Sequence, residues 1–211
     1  MEIESGIIFS VVLIIGYFLG SIPSGYLIGK LLKKIDIRDF GSGNIGFANA
    51  LRVLGLLPGL LVLIIDIAKG VVSVYLGIFL APLFGFAPQI TGGISGLLSI
   101  LGHNWPIFLK FRGGKGVAVT AGVFLILTPL PFLFSALMLV GVMVFTRYVS
   151  LSSMMAAGSL PFFIWFWMSS KAQFCLALSI AGAFLILFRH RSNIERLLRG
   201  KERKIGEKVQ T

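Results

Sequence analysis

Long stretches without one charged side chain decide what this chain can become. Residues 7–29, 70–109, 116–146, 148–170 and 172–188 contain no Asp, Glu, Lys or Arg. A helix needs about 20 apolar residues to cross a bilayer, and several of these runs reach that length. Only 13% of the 211 residues are charged and 56% are hydrophobic, against roughly 25% charged in soluble domains. The mean hydropathy is +0.96. We therefore read residues 1–211 as a single integral membrane domain of the all-α class.

The start, Met1-Glu2-Ile3-Glu4, is acidic where a secretory signal needs positive charge, so the first run is kept as a mature span. Lys30, Lys33 and Lys34 follow it, which orients span one from outside to inside. Inside that span, Gly20-Ser21-Ile22-Pro23-Ser24-Gly25-Tyr26 is polar and helix-breaking, which is tolerated where it faces protein or a watery cavity. Span two, over 53–80, returns outward and carries Asp66 and Lys69 on one helical face, either as a structural pair or as a substrate contact. An outer turn is expected near 82–88, with span three from about residue 90 delivering His103 to the inside.

The interval 116–146 fits one long helix or two short ones, and charge parity decides. One helix would put the tail after residue 188, with its eight Lys and Arg residues, outside, against the positive-inside rule. Thr128-Pro129-Leu130-Pro131 therefore marks an outer turn between spans four and five. Span six runs from about 149 to 168 and span seven from about 172 to 188, with an outer turn near Lys171. The result is a polytopic protein of seven transmembrane helices, some short or broken, with the N-terminus outside and the C-terminus cytoplasmic. This topology puts 17 of the 19 Lys and Arg residues on the inner side, all but Lys69 and Lys171.

The net charge of +11 lies in short loops rather than in a soluble basic domain, which favours lipid headgroups and anionic substrates over nucleic acid. The lone Cys175 permits no intrachain disulfide. On the inner face, residues 102–116 gather His103, Asn104, Lys110, Arg112, Gly113, Gly114 and Lys115, glycines that let backbone N–H groups approach an anion and cations that supply charge. Residues 36–52 bring Ser42, Gly43, Asn44, Gly46, Asn49 and Arg52 to the same face, with Ser42 or Asn44 as a candidate helix cap. Ser24, Ser150, Ser153, His190 and Asn193 complete the inventory.

Cations and amides with almost no carboxylates suit phosphate esters. A divalent-metal site wants clustered acids, and two histidines with Cys175 do not make a zinc site, so no metal or cofactor is expected. A serine triad lacks a free acid, since Asp66 already has Lys69. The His-x4-Asp pattern of common glycerolipid acyltransferases is missing, as Phe108 occupies the fifth position after His103.

Taken together, the 20–26 stretch, Gly41-Ser42-Gly43-Asn44-Ile45-Gly46 with Asn49 and Arg52, residues 102–116, Arg147-Tyr148-Val149-Ser150-Leu151-Ser152-Ser153 and His190-Arg191-Ser192-Asn193-Ile194-Glu195-Arg196-Leu197 resemble the bacterial membrane acyl-phosphate:glycerol-3-phosphate acyltransferases over nearly the whole chain. The resemblance implies transfer of a fatty acyl group from acyl phosphate to the 1-hydroxyl of glycerol 3-phosphate, giving lysophosphatidate and phosphate, the first acylation of phospholipid synthesis. It further implies an inner-membrane enzyme with a cytoplasmic active site, functionally coupled to the enzyme that makes acyl phosphate. By similarity, Ser42, Arg52, Lys115, His190 and Asn193 are the phosphate and glycerol contacts. His103 and Asn104, polar groups that need partners when buried, either brace the loop or touch substrate. No catalytic side chain is fixed; His190 and Ser153 are the candidates, beside a substrate-assisted route. The family commonly has Gly-Ala-Thr-Asn where this chain reads Gly46-Phe47-Ala48-Asn49, so a hydroxyl is lost at residue 48. A transporter of a phosphorylated solute is the alternative, disfavoured because no inverted repeat is visible and the motifs collect on one face.

Overall fold

The computed structural model describes residues 2–168 and 173–207. Ten α-helices and three short 3₁₀ turns account for the described fold, with no strand among those residues. The helices are α1 (Glu2–Ser21), α2 (Ser24–Lys33), α3 (Phe47–Leu54), α4 (Leu56–Leu80), α5 (Pro88–Asn104), α6 (Val117–Leu127), α7 (Pro129–Thr146), α8 (Val149–Trp167), α9 (Gln173–Arg189) and α10 (Arg191–Leu198). The expected breaks at Pro23 and at Thr128-Pro129 are both present. Proline lacks the N–H that a continuing helix would use.

Four stretches, Ser10–Lys33, Leu56–Leu83, Pro129–Thr146 and Val149–Trp167, are long and apolar enough to cross a membrane, and α9 with α10, bent by 59°, makes a fifth. Expected spans three and four coincide with α5 and α6, which at 17 and 11 residues are shorter. Span two begins later than the sequence pattern suggests. Gly55, at φ +104°, ends α3 after Leu54 and starts α4 at Leu56. The turn expected near Lys171 lies outside the described residues.

Lipid tails offer helices no hydrophobic reward for pairing, so close backbone contact through small residues takes over. Here α1 lies directly on α5: a Cβ on Gly20 would stand 2.0 Å from the Ser99 carbonyl oxygen, and one on Gly102 would stand 2.1 Å from that of Tyr17. The α4–α6 contact is equally tight, with Gly70 against the Val119 carbonyl and Gly122 against that of Ile67. A core of Val74, Ile100, Val119, Val123, Phe124, Leu160, Ile164 and Leu178 joins α4, α5, α6, α8 and α9.

Beside the α1–α2 break lies a buried polar group. Lys69 Nζ pairs with Asp66 Oδ1 at 2.8 Å, with side chains 5% and 1% exposed. Ser24 donates to the same carboxylate at 2.5 Å. Lys69 also donates to the carbonyl oxygens of Gly20 and Ile22, which the α1–α2 break leaves without helical partners. His103 Nδ1 is 3.3 Å from Lys69 Nζ. The pair is therefore structural, and it ties α1, α2 and α5 to α4.

Candidate anion-binding site

Two loops, 34–46 and 110–116, meet the α9–α10 junction and the tail after α10 at one end of the bundle. In the first loop, Asp36 accepts two guanidinium nitrogens of Arg38, at 2.6 and 3.0 Å, and caps the 3₁₀ turn Ile37–Asp39. That interaction holds Asp36 below the usual carboxylate range. Asn49 organises the rest of the loop: its Nδ2 donates to the carbonyls of Ile37, Phe40 and Asn44, and its Oδ1 accepts the Ser42 N–H at 2.8 Å. A Cβ at Gly41, where φ is +63°, would strike that Oδ1 at 2.2 Å. Asn49 thus shapes the loop from beneath. Neither Ser42 nor Asn44 caps α3; Gly46 is its N-cap, and Asn44 Oδ1 accepts the Gly46 N–H at 2.9 Å.

The second loop, 110–116, is gripped from two sides. The Gly114 N–H donates to the His103 carbonyl at 2.9 Å, and Gly114 lies so flat on the His103 ring that a Cβ would be 1.9 Å from Nε2. From α9, Arg189 Nε donates to the Gly114 carbonyl at 2.9 Å and Nη2 to that of Gly113 at 3.0 Å, while the guanidinium lies 5.3 Å from the centre of the Trp105 ring. Asn104 is fully buried with its amide against Gly116. His103 braces this loop from below, Asn104 packs beneath Gly116 with no hydrogen bond to its amide within the protein, and the first turn of α6 begins directly after the loop.

Lys115 Nζ donates to Asn193 Oδ1 at 2.5 Å. Asn193 Nδ2 donates to Glu202 Oε1 at 2.6 Å, which also accepts Ser150 Oγ at 2.7 Å, while Glu202 Oε2 accepts Arg196 Nε at 2.7 Å. Burial acts against the Glu202 charge, but hydrogen bonds from Ser150, Asn193 and Arg196 outweigh it and hold the carboxyl below its ordinary range. Burial lowers the Lys115 ammonium to about 8; Glu202 opposes that shift, and Arg196, Arg52 and Arg189 add to it. His190 is buried and its Nδ1 is 2.8 Å from the Ile186 carbonyl oxygen, closing the end of α9. A carbonyl only accepts, so Nδ1 carries the proton and Nε2 of the neutral ring is an acceptor.

Between these loops opens a cleft of about 560 Å³, lined by Arg38, Asp39, Ser42, Gly43, Asn44, Phe111, Arg112, Gly113, Lys115, Arg189, Arg191, Ser192 and Arg196. Six of the thirteen are cations and one is an acid, a composition that selects a ligand with more than one negative charge. Of the residues expected from sequence, Ser42, Gly43, Asn44, Arg112, Gly113 and Lys115 line the cleft directly. Asn193 and Ser150 join it through Lys115 and Glu202, and Arg52 lies close enough to act electrostatically on Lys115. Asn49, His103 and Asn104 sit behind the lining, and Gly46, Gly114 and Lys110 are not part of it. Ser153 turns its hydroxyl to the Val149 carbonyl of its own helix at 2.8 Å and is not among the residues lining the cleft.

Comparison with known proteins shows the family. A family model described as glycerol-3-phosphate acyltransferase matches residues 10–200. The chain belongs to the glycerol-3-phosphate acyltransferase family. It is 44% identical over 203 residues to a glycerol-3-phosphate acyltransferase of Halalkalibacterium halodurans, covering 94% of this chain and 97% of that one. It is 42% identical over 201 residues to glycerol-3-phosphate acyltransferase 2 of Moorella thermoacetica, with 93% and 97% covered. Its fold is similar to the crystal structure of PlsY (YgiH), an integral membrane glycerol 3-phosphate acyltransferase, in the glycerol 3-phosphate form: TM-score 0.84, 38% identity, 94% and 96% of the chains covered. The lysophosphatidic acid form gives a TM-score of 0.82 at the same identity. An all-helical integral membrane acyltransferase of phospholipid biosynthesis is the class to which this family member conforms.

Within that family frame, sequence reasoning missed Arg38, Arg189, Arg191 and Arg196 as cleft residues and Glu202 as a partner. From sequence, Arg189 counts only toward orientation, and Arg191 and Arg196 count toward orientation and the terminal motif without a role in the site. Glu202 had no local signal, because its partners Ser150 and Asn193 lie 52 and 9 residues away.

Proposed function

We propose that this chain transfers a fatty acyl group from acyl phosphate to the 1-hydroxyl of glycerol 3-phosphate, releasing lysophosphatidate and inorganic phosphate. The observation that carries the reading is the cleft in which two glycine-rich loops and the α9–α10 end bring six cations together. Both substrates are phosphate anions, and their mutual repulsion is the obstacle that such a cleft removes. Ser42, Arg52, Lys115, His190 and Asn193 are assigned to phosphate and glycerol, with the loop amides and Arg112 supplying further donors.

The chemistry needs little more than placement. The C1 oxygen of glycerol 3-phosphate attacks the acyl carbonyl carbon, and the new C–O bond forms as the bond from that carbon to the phosphate oxygen breaks. The hydroxyl proton passes to a phosphate oxygen of the donor, which departs as inorganic phosphate. A mixed anhydride is already activated, so neutralised charge and fixed orientation supply the acceleration. His190, with its proton on Nδ1, offers Nε2 as an acceptor to a glycerol hydroxyl. No covalent acyl-enzyme is required.

In the same reading the chain crosses the bacterial inner membrane seven times, N-terminus outside and C-terminus inside, with the cleft on the cytoplasmic side beside the enzyme that makes acyl phosphate. α5 and α6 are then shielded spans. The deciding experiment is acyl transfer by the purified protein with acyl phosphate, acyl-CoA and acyl carrier protein as separate donors. Turnover is expected with acyl phosphate alone, because the loops are short and form no domain to hold a nucleotide or carrier. Comparable rates with acyl-CoA would overturn the donor assignment.

A further inference from the structure

Residues 199–207, after α10, are tied down. Ile205 N donates to the Arg147 carbonyl at 2.9 Å, and Arg147 Nη2 donates to the Ile205 carbonyl at 3.1 Å. Lys204 Nζ lies 5.5 Å from the centre of the Tyr148 ring. These anchors, on the α7–α8 junction, suspend residue 202 between α8 and α10. The Glu202 side chain there is only 6% exposed, whereas Glu195 on α10 pairs with Arg199 on the open surface, with both side chains more than half exposed. A surface pair of that kind contributes little. A nearly buried carboxylate that accepts from Ser150, Asn193 and Arg196 is a different object.

The direction of the bonds shows what it does. A carboxylate only accepts, so Asn193 must turn its NH₂ toward Glu202 and its oxygen toward Lys115. Without an acceptor at 202, that amide loses its reason to hold this orientation. The flipped form would set an NH₂ group against the Lys115 ammonium, two donors facing each other. The charges that act most strongly on Lys115 besides Glu202 are cationic: Arg52 from α3, Arg189 from α9 and Arg196 from α10. The same cleft holds Arg38, Arg112 and Arg191 and one further acid, Asp39, with His190 buried between α9 and α10. Glu202 is the negative charge that acts on Lys115 against those three arginines.

We infer that Glu202 is a positioning residue of the phosphate site, fixing the Asn193 amide and keeping the Lys115 ammonium charged and in place. The C-terminal tail thereby becomes part of the site. The inference rests on the reading of Lys115 as a phosphate contact, and it adds a group that never touches substrate.

The test is the pH profile of kcat/KM for glycerol 3-phosphate, which a merely structural residue would lower without moving. In Glu202→Gln, Lys115 loses its compensating charge and the alkaline limb moves about one pH unit toward acid, as removal of a neighbouring opposite charge does. In Arg196→Gln, a repelling cation disappears and the limb moves to higher pH. With Lys115→Arg as the background, where the side chain stays charged, Glu202→Gln no longer moves it. If Glu202→Gln does not fold, Arg196→Gln decides: a limb unmoved or shifted toward acid overturns the inference. An unshifted limb in folded Glu202→Gln overturns it as well. Failure of the underlying reading is told apart by Lys115→Met, since an unchanged KM there removes Lys115 from the site, whereas a raised KM with an unmoved Glu202→Gln limb sinks this inference alone.

Discussion

Lys115 Nζ and Asn193 Oδ1 stand 2.5 Å apart, joining the loop before α6 to a helix 78 residues further along the chain. The contact aims the ammonium and leaves its remaining two protons for a ligand. Replacing Lys115 by Met removes a charge-assisted bond of about 1.5–3 kcal/mol, which corresponds to a roughly tenfold to hundredfold rise in KM for glycerol 3-phosphate. Lys115→Arg is expected to fall between Met and the native residue. Steady-state kinetics on detergent-purified protein measures both, and native KM in the Met variant would contradict the assignment.

The same lysine sets a pH dependence. Its pKa is lowered to about 8, so the ammonium is present below that value and lost as pH rises through it. Binding of glycerol 3-phosphate should therefore weaken above about pH 8 in the native protein and stay level in Lys115→Arg. Titration of KM from pH 7 to pH 9.5, at fixed ionic strength because charged contacts are screened by salt, reads it directly.

His190 is expected to assist rather than to be indispensable. With its Nδ1 committed to the Ile186 carbonyl, His190→Gln removes one acceptor near the glycerol and should keep measurable turnover with mainly weakened acceptor binding. Recovery of a dead His190→Gln enzyme by added imidazole, or mass-spectrometric capture of an acyl-enzyme, would count against a substrate-assisted reaction.

Lys69→Met should damage stability before it damages chemistry. It strands the Asp66 carboxylate, 1% exposed, without its partner at 2.8 Å. Breaking a buried pair from one side costs about 3–5 kcal/mol. Lys69→Met combined with Asp66→Leu should recover part of that loss, because the stranded charge disappears. Thermal unfolding in detergent compares the two; equal midpoints for the single variant and the native protein would show the pair to be dispensable.

Topology has its own test. Single cysteines placed at Lys34 and Arg112, in a chain whose Cys175 is buried, should react with an impermeant thiol reagent only from the inner side of sealed vesicles. Labelling of either from outside would invert the orientation.

Much of this was legible in one dimension. Uncharged runs of helix-spanning length fix an all-helical membrane chain, because an unpaired backbone group in lipid costs several kcal/mol and helices satisfy such groups within one segment. Pro23 and Thr128-Pro129 mark real breaks, since proline cannot donate to a continuing helix. Asp66 and Lys69 declare their pairing by lying three residues apart on one helix. The glycine-rich loops and Lys115 announce an anion site by composition alone.

What only the tertiary structure decided depends on contacts that leave no local trace. Arg189 becomes the clamp of Gly113 and Gly114 from 75 residues away. Glu202 enters a site that composition reads as almost free of carboxylates, because the tail is pinned at Arg147 and folds back. Ser153 belongs to the right motif yet spends its hydroxyl on Val149, since a serine inside a helix can bond the carbonyl one turn back. Helical periodicity reports which residues share a face. Which faces meet is settled by backbone approach at Gly20, Gly70, Gly102 and Gly122, and that packing is what turns scattered cations into one cleft.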